Sequence, residues 1–166
     1  KAAGDIAVAN CPRHYILRSS WVIGEGHNFV KTMMMLSNRV ADPGDGLNEV
    51  TVVDDQYGRL TFTSDMADAI FHLLDSGAGY GTYDLTGSGR VESWAGIAKA
   101  VFDLTNGNGD RVRPIPTEEY FANAKDPVSP RPTHSALDLK KIEATGYPAL
   151  DWEESLKKYV AKELAE

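Results

Sequence analysis

Residues 14–40 read HYILRSSWVIGEGHNFVKTMMMLSNRV, and the succession of patterns inside this stretch sets the fold class. HYILRSSWV is a short apolar run of the kind that forms a buried strand. GEGHN is a loop. Asn28 then stands where a side-chain oxygen can cap the helix FVKTMMMLSNRV by accepting a backbone N–H of its first turn. A strand that runs through a glycine loop into a capped helix is a building unit of α/β proteins.

The alternation continues on both sides. Upstream, alanines at 2, 3, 7 and 9 favour a helix with Ile6 as its apolar anchor, and Pro12 breaks it. No Ser, Thr, Asp or Asn precedes Lys1 to cap that helix, so further chain is expected in front of it. Downstream, ADPGDGLNE (41–49) is a turn-rich loop, VTVVDD (50–55) a β-branched strand and LTFT (60–63) a shorter one. SDMADAIFHLLDSG (64–77) is a helix with Met66, Ile70, Leu73 and Leu74 on one face. GTYDLTG (81–87) is a strand, and SWAGIAKAVFDL (93–104) is a helix capped by Ser93 and closed by NGNG (106–109). RVRPIP (111–116) is a short strand. Asp138 caps a brief helix that ends at Gly146, and Asp151 with Glu154 caps a last helix carrying Trp152, Leu156, Tyr159 and Val160 on one stripe.

Composition excludes several classes. The 166 residues are 42% hydrophobic and 25% charged, values of a globular domain with its own core. A formal net charge of −7 argues against nonspecific binding to nucleic acid or to an anionic membrane surface. The longest apolar run is too short to span a bilayer, and no stretch of the chain reads as a signal peptide. Cys11, the single cysteine, rules out an internal disulfide, makes a reducing cytoplasm the default, and is expected to be a small buried residue. Histidines at 14, 27, 72 and 134 form no pair at ligand spacing, so no metal site is expected. The methionines at 33, 34 and 35 are expected to fill the core. GSGR (87–90) and NGNGD (106–110) lack the spacing of a phosphate-binding loop.

Four stretches carry more chemistry than scaffolding needs. In RSSWVIG (18–24) polar groups and an indole sit at a strand's carboxyl end, where open α/β sheets bind ligands. The plainer alternative is that Trp21 is core and Arg18 pairs with a surface acid. VVDDQYGRLTF (52–62) ends a strand in two acids and Gln56, or is simply a solvated turn. In SPRPTHSALD (129–138) two prolines hold Arg131 in an extended segment, presenting a planar fork suited to two phosphate oxygens, unless it is a solvated loop residue. The fourth is Lys1.

In this order the stretches resemble those of the dTDP-4-dehydrorhamnose reductases, which are extended short-chain dehydrogenases/reductases, and the resemblance runs through nearly the whole chain. KAAGD is similar to that family's Tyr-x-x-x-Lys-x-x-Gly-Glu stretch from its lysine onward, with Asp5 in place of Glu. RSSWVIGEGHNFVKTM resembles its Arg-Thr-Ser-Trp-Val-Tyr-Gly stretch and Asn-Phe-Val helix. VVDDQYGRLTFTSDMADAI resembles Val-x-Asp-Gln-x-Gly-x-Pro-Thr followed by Asp-Leu-Ala. GTYDLTGSGRVESWAGIA is similar to Gly-x-Tyr-His-x-x-Gly with its Ser-Trp helix start, and RPTHSALDLKKI to Arg-Pro-x-Asn-Ser-x-Leu. Leu60 replaces a favoured proline, His134 an asparagine and Asp84 a histidine. These departures leave open an altered sugar substrate or a branch in which an epimerase is fused or associated.

The resemblance implies an α/β C-terminal portion of such an enzyme: the end of a Rossmann-type parallel sheet plus the smaller substrate-binding domain. Residues 1–24 would be the tail of the dinucleotide-binding domain and 25–166 mainly the substrate-binding domain, with about 49–76 packing back on the former. It implies reduction of dTDP-4-dehydro-L-rhamnose to dTDP-L-rhamnose with NADPH or NADH, the cofactor held mostly by residues upstream. Lys1 would be the catalytic lysine and a nicotinamide-ribose ligand, one helical turn after a tyrosine whose proton it helps to mobilise. Trp21 would be a flat wall beside the sugar. Asn28, Gln56 and Arg131 would contact the sugar nucleotide, Arg131 at the diphosphate. The partners implied are the dTDP-sugar and the preceding half of the protein, with a homo-oligomer left open. Two other classes also stay open: a non-catalytic regulatory subunit of the same fold, and a self-sufficient binding module.

Overall fold

Short parallel pairings joined by helices make up the molecule, as the alternating patterns predict. The computed structural model describes residues 1–165. Strand β1 (Tyr15–Arg18) lies parallel to β6 (Gly81–Asp84), β2 (Val22–Ile23) to β5 (Thr61–Phe62), and β3 (Val50–Val53) to β8 (Val112–Ile115). Strands β4 (Tyr57–Gly58) and β7 (Glu92–Ser93) pair antiparallel.

The run at 14–22 is therefore not one strand. It stops at Arg18, turns through residues 19–21 and restarts as β2. Trp21 takes a φ of 50°, in the left-handed region that a bulky L residue rarely enters. Thr61 secures the turn: its N–H donates to the Trp21 carbonyl at 3.0 Å and its hydroxyl to the Ser20 carbonyl at 2.7 Å.

Helix starts follow the caps. Asn28 Oδ1 accepts from the Lys31 N–H at 3.1 Å to begin α2 (Phe29–Ala41). Ser93 Oγ accepts from Gly96 at 3.1 Å to begin α4 (Trp94–Asn106), which Gly107 closes at φ 68°. The short α6 (Lys140–Glu143) differs: its cap position is Leu139, without a side-chain cap bond, and Asp138 Oδ1 accepts from Lys140 at 2.9 Å from one place further out, with Gly146 ending the turn at φ 88°. Asp151 Oδ1 accepts from Glu153 at 2.8 Å to begin α7 (Trp152–Ala165). Glu154 does not complete that cap, because it pairs with Lys157 at 2.7 Å on the solvent side.

Two cores result. In the larger, α2, α4 and α7 close over the strands through Ile23, Val30, Met33, Phe62, Phe102, Trp152 and Leu156. In the smaller, Ala69 and Leu73 of α3 (Thr63–Asp75) meet Tyr83, Leu85, Leu139, Ile142 and Tyr147, with Tyr15 and Leu17 packed against them. Residues 49–76 divide between the two, β3 going to the larger core and α3 to the smaller.

Burial corrects four expectations. In α1 (Ala2–Ala9) no residue is buried and Ile6 is 68% exposed, since nothing in the described chain covers that face. Cys11 is exposed, in the bend after α1. Met33 and Met34 are buried but Met35 faces out, because three consecutive helical residues span too wide an arc to share one side. On α3 the inward stripe is Met66, Ala69 and Leu73, while Ile70 and Leu74 are exposed. No helix among the described residues is long and apolar enough to cross a membrane.

Gly87 tests the larger core. A Cβ there would lie 2.6 Å from the Leu60 carbonyl oxygen and 2.8 Å from Trp152 Cβ, both in packed surroundings. Gly87→Ala is expected to lower the unfolding free energy by about 1–3 kcal/mol. Gly4→Ala, with nothing within 4 Å of the added carbon, is expected to be neutral or slightly stabilising. Urea unfolding midpoints of the two variants check the contrast.

Candidate functional site

The loop that follows β3 is sewn to two other elements, and a cleft opens beside it. Asp54 donates its N–H to the Ile115 carbonyl at 2.9 Å and accepts the Ser93 hydroxyl at 2.7 Å. The Trp94 N–H donates to the Gln56 carbonyl at 3.3 Å. These bonds fix the end of β3 against the start of α4 and the end of β8. The cleft beside it measures about 330 Å³, floored by Val50–Val53 of β3 and walled by Phe29, Met33 and Leu36 of α2, and by Trp94. Tyr120, Phe121, Gln56, Arg131 and Thr32 complete the lining.

Aromatic packing sets the shape. Trp94 stacks on Trp21 with ring centroids 3.8 Å apart and planes 19° from parallel, and Phe29 tilts against its ring at 4.5 Å. Trp21 does not line the cleft; it backs the residue that does. Gly58 makes room for it, since a Cβ at that position would sit 2.8 Å from the indole. Tyr120 and Phe121 form an edge-to-face pair at 5.0 Å at the end of α5 (Thr117–Tyr120).

One carboxylate organises the polar side. Asp55 accepts the Thr117 backbone N–H at 3.0 Å and the Thr117 hydroxyl at 2.5 Å. These bonds hold the Asp55 carboxyl below its ordinary pKa against the opposing effect of partial burial. The Gln56 Nε2 donates to the same Thr117 hydroxyl at 2.9 Å. Arg131 is exposed, and the chain just after it is anchored: Tyr57 donates to the Thr133 carbonyl at 2.8 Å and Ser135 to the Tyr57 carbonyl at 2.7 Å. His134 stacks on the Tyr57 ring at 5.5 Å. Pairing with β4, as well as the flanking prolines, thus holds the arginine's segment.

Of the residues singled out in the sequence, Gln56 and Arg131 meet at the cleft. Asn28 does not: besides capping α2, its amide donates to the carbonyls of Gly24 at 2.8 Å and Gly26 at 3.1 Å and to the Tyr159 hydroxyl at 2.9 Å. The structure gives it a bracing task at the start of α2, outside the cleft lining. Lys1 lies at the exposed N-terminal end of α1, apart from the cleft lining. Arg18 pairs with Asp5 at 2.6 Å, the plainer of its two readings. Asp55 was marked only as one of the two acids ending the strand in 52–62; Trp94, Tyr120, Phe121 and Thr117 were not singled out. Of these only Trp94 had a signal, its place directly after a capping serine at a strand–helix junction. The glycine-rich stretches serve turns: Gly107 ends α4, and Gly89, at φ 91°, lies against the Asp151 carboxylate. No cluster of metal-ligating side chains occurs among the described residues.

This combination of a parallel α/β framework and an aromatic cleft has known counterparts. The model of the RmlD substrate binding domain matches residues 1–165, and the chain belongs to that family. It is 39% identical to a dTDP-4-dehydrorhamnose reductase of Sinorhizobium fredii over 96% of this chain and 54% of that protein. Among solved structures, a dTDP-4-dehydrorhamnose reductase of Clostridium acetobutylicum superposes with a TM-score of 0.77 at 36% identity, covering 92% of this chain and 50% of its own. That of Bacillus anthracis, solved in complex with NADP, superposes with a TM-score of 0.78 at 30% identity, covering 98% and 53%. The chain spans about half the length of the relatives it matches.

Two variants probe the site's construction. A depressed carboxyl contributes stability that is present above its unfolded pKa of about 3.9 and is lost as pH falls through the folded value. Asp55→Asn is therefore expected to lose less stability than the parent between pH 5 and about pH 2, as measured by urea midpoints across that range. Gly58→Ala is expected to displace Trp21 from its stack, with a change in tryptophan fluorescence and a loss of about 1–3 kcal/mol in stability.

Proposed function

We propose that the chain is the substrate-binding part of an NAD(P)H-dependent reductase that converts dTDP-4-dehydro-L-rhamnose to dTDP-L-rhamnose. The observation that carries this is the meeting of Gln56 and Arg131 on an aromatic-walled cleft, in a chain of the RmlD substrate-binding domain family. The cleft's apolar walls suit the flat base and sugar of a nucleotide, and a guanidinium at its edge suits a diphosphate. In a protein of net charge −7, such an anion needs a local cation to hold it. Trp21 and Asn28 support the walls from behind, through Trp94 and through the start of α2.

Residues 1–24 belong in this reading to the end of a dinucleotide-binding domain and 25–166 mainly to the substrate-binding domain. Within residues 49–76, α3 packs back on the former, a reading supported by the core it shares with β1. Of the cofactor site only Lys1 lies in this chain, and its exposed ammonium, a three-proton donor, fits a ribose hydroxyl. NADPH or NADH, when bound, supplies the hydride that reaches C4 of the sugar; the NADP complex of the Bacillus anthracis relative favours the phosphorylated form. Lys1 stabilises the phenolate of a tyrosine one helical turn before it, so that this tyrosine gives its proton to the forming alkoxide near neutral pH. The partners are the dTDP-sugar and the preceding part of the same protein, in the reducing cytoplasm that a single cysteine suits. A fused or associated epimerase and a homo-oligomer are compatible with it.

Steady-state kinetics of the full-length protein test the reading. Arg131→Lys keeps the charge and removes the fork, so the KM for the dTDP-sugar is expected to rise by the equivalent of about 1–3 kcal/mol. The kcat is expected to change less, because diphosphate contacts are shared by ground and transition states, and NADPH affinity to stay at the parent value. An unchanged KM would return Arg131 to a solvated loop.

A further inference from the structure

The hydroxyl of Thr117 has one proton, and the geometry commits it. It lies 2.5 Å from Asp55 Oδ1, and the Asp55 carboxylate carries no proton of its own at neutral pH. The hydroxyl proton therefore points at Asp55, and the hydroxyl oxygen can only accept from its other neighbour. That neighbour is the Gln56 side chain at 2.9 Å, so the amide must turn its NH₂ end toward Thr117. A glutamine amide has two chemically distinct ends, and with one of them engaged the other is set. Gln56 lines the cleft, and its remaining end is the carbonyl oxygen Oε1. The same Asp55 carboxylate takes the Thr117 backbone N–H, which pins the start of α5 and through it the Tyr120 and Phe121 wall.

We propose that Asp55 and Thr117 are positioning residues that orient the Gln56 amide, making Gln56 Oε1 a fixed hydrogen-bond acceptor for an N–H or O–H donor of the ligand in the cleft. This rests on the reading of the cleft as the sugar-nucleotide site. The donor is either an imide N–H or hydroxyl of the thymidine part, or a hydroxyl of the hexose. The carboxylate reaches the ligand only through the threonine, so neither Asp55 nor Thr117 need touch it. An acceptor fixed in this way discriminates by hydrogen-bonding sense: an analogue bearing only an acceptor at that point leaves two oxygens facing each other.

The experiment uses the full-length protein with Thr117→Val, Thr117→Ser and Gln56→Ala, and titrates dTDP and dTDP-L-rhamnose by calorimetry alongside steady-state kinetics. Thr117→Val keeps the backbone N–H to Asp55 but removes the hydroxyl that orients the amide. It is expected to weaken binding about 3- to 10-fold and to raise KM by the same factor, with kcat and NADPH affinity within about twofold of the parent. Thr117→Ser restores the hydroxyl and is expected to restore the affinity, which a role in packing alone would not do. A loss seen with both ligands assigns the donor to the thymidine part; a loss confined to dTDP-L-rhamnose assigns it to the hexose. If Gln56→Ala weakens binding while Thr117→Val matches the parent, the positioning role is overturned and the cleft reading stands. If Gln56→Ala leaves both affinities unchanged, the proposal is overturned, and the Arg131→Lys kinetics decide whether the cleft reading stands. Should Thr117→Val not fold, Thr117→Ala serves in its place, since it too keeps the backbone N–H to Asp55 and removes the hydroxyl. Parent-like affinity in Thr117→Ala would overturn the proposal.

Discussion

The left-handed turn at Trp21 is the constraint on which the rest of the structure depends. A bulky L residue at φ 50° costs about 1–2 kcal/mol relative to ordinary backbone, so surrounding contacts must hold it there. Two bonds from Thr61 and the stack on Trp94 do so, the stack contributing about 0.5–1.5 kcal/mol beyond its buried area. The turn lets one stretch of chain serve two pairings, β1 with β6 and β2 with β5, and so joins the two cores. It also lays the indole over Gly58 and behind Trp94, which settles where α4 begins and how wide the cleft is. Remove the turn and the strand pairs lose their relative placement.

Local rules made much of this legible in advance. Caps at Asn28, Ser93 and Asp151 depend on one side chain and the next few backbone amides, and all three lie where residue type predicts; Asp138 falls one place short, since Leu139 holds the cap position of α6. The break between Arg18 and Val22 was illegible because it is decided by Trp94 and Thr61, far along the chain; locally HYILRSSWV is a good strand. The inward face of α3 was misjudged for a related reason. Its apolar residues cover more than one stripe, and only the partner strands determine which stripe is buried.

The site divides in the same way. Gln56 and Arg131 stood out as residue types in suggestive settings, and resemblance to a family gave them roles; their meeting on one cleft is a property of the folded chain. Asp55 stood out only as one of two acids closing a strand, and Thr117 gave no signal, since a threonine at the start of a short helix is commonplace. Their value lies in a hydrogen bond spanning the interval between β3 and α5. Asn28 illustrates the reverse case. Its capping role was evident, but three further acceptors for its amide are contributed by a loop and by α7, and they engage its N–H groups.

The pairing pattern has a consequence for how the chain reaches this state. Tyr15 pairs with Gly81, Val22 with Thr61 and Val50 with Val112, so every parallel ladder joins segments separated by a long intervening stretch. Closing such loops costs chain entropy before any ladder or core contact compensates for it. The helices can form early under their own caps, whereas the strands wait for partners made later in the sequence. Assembly of this topology is accordingly slow beside that of a helical bundle of equal size. While it proceeds, the β-branched run at 50–53 and the apolar run at 15–17 stand unpaired, and these are the segments through which a stalled chain would associate with its neighbours.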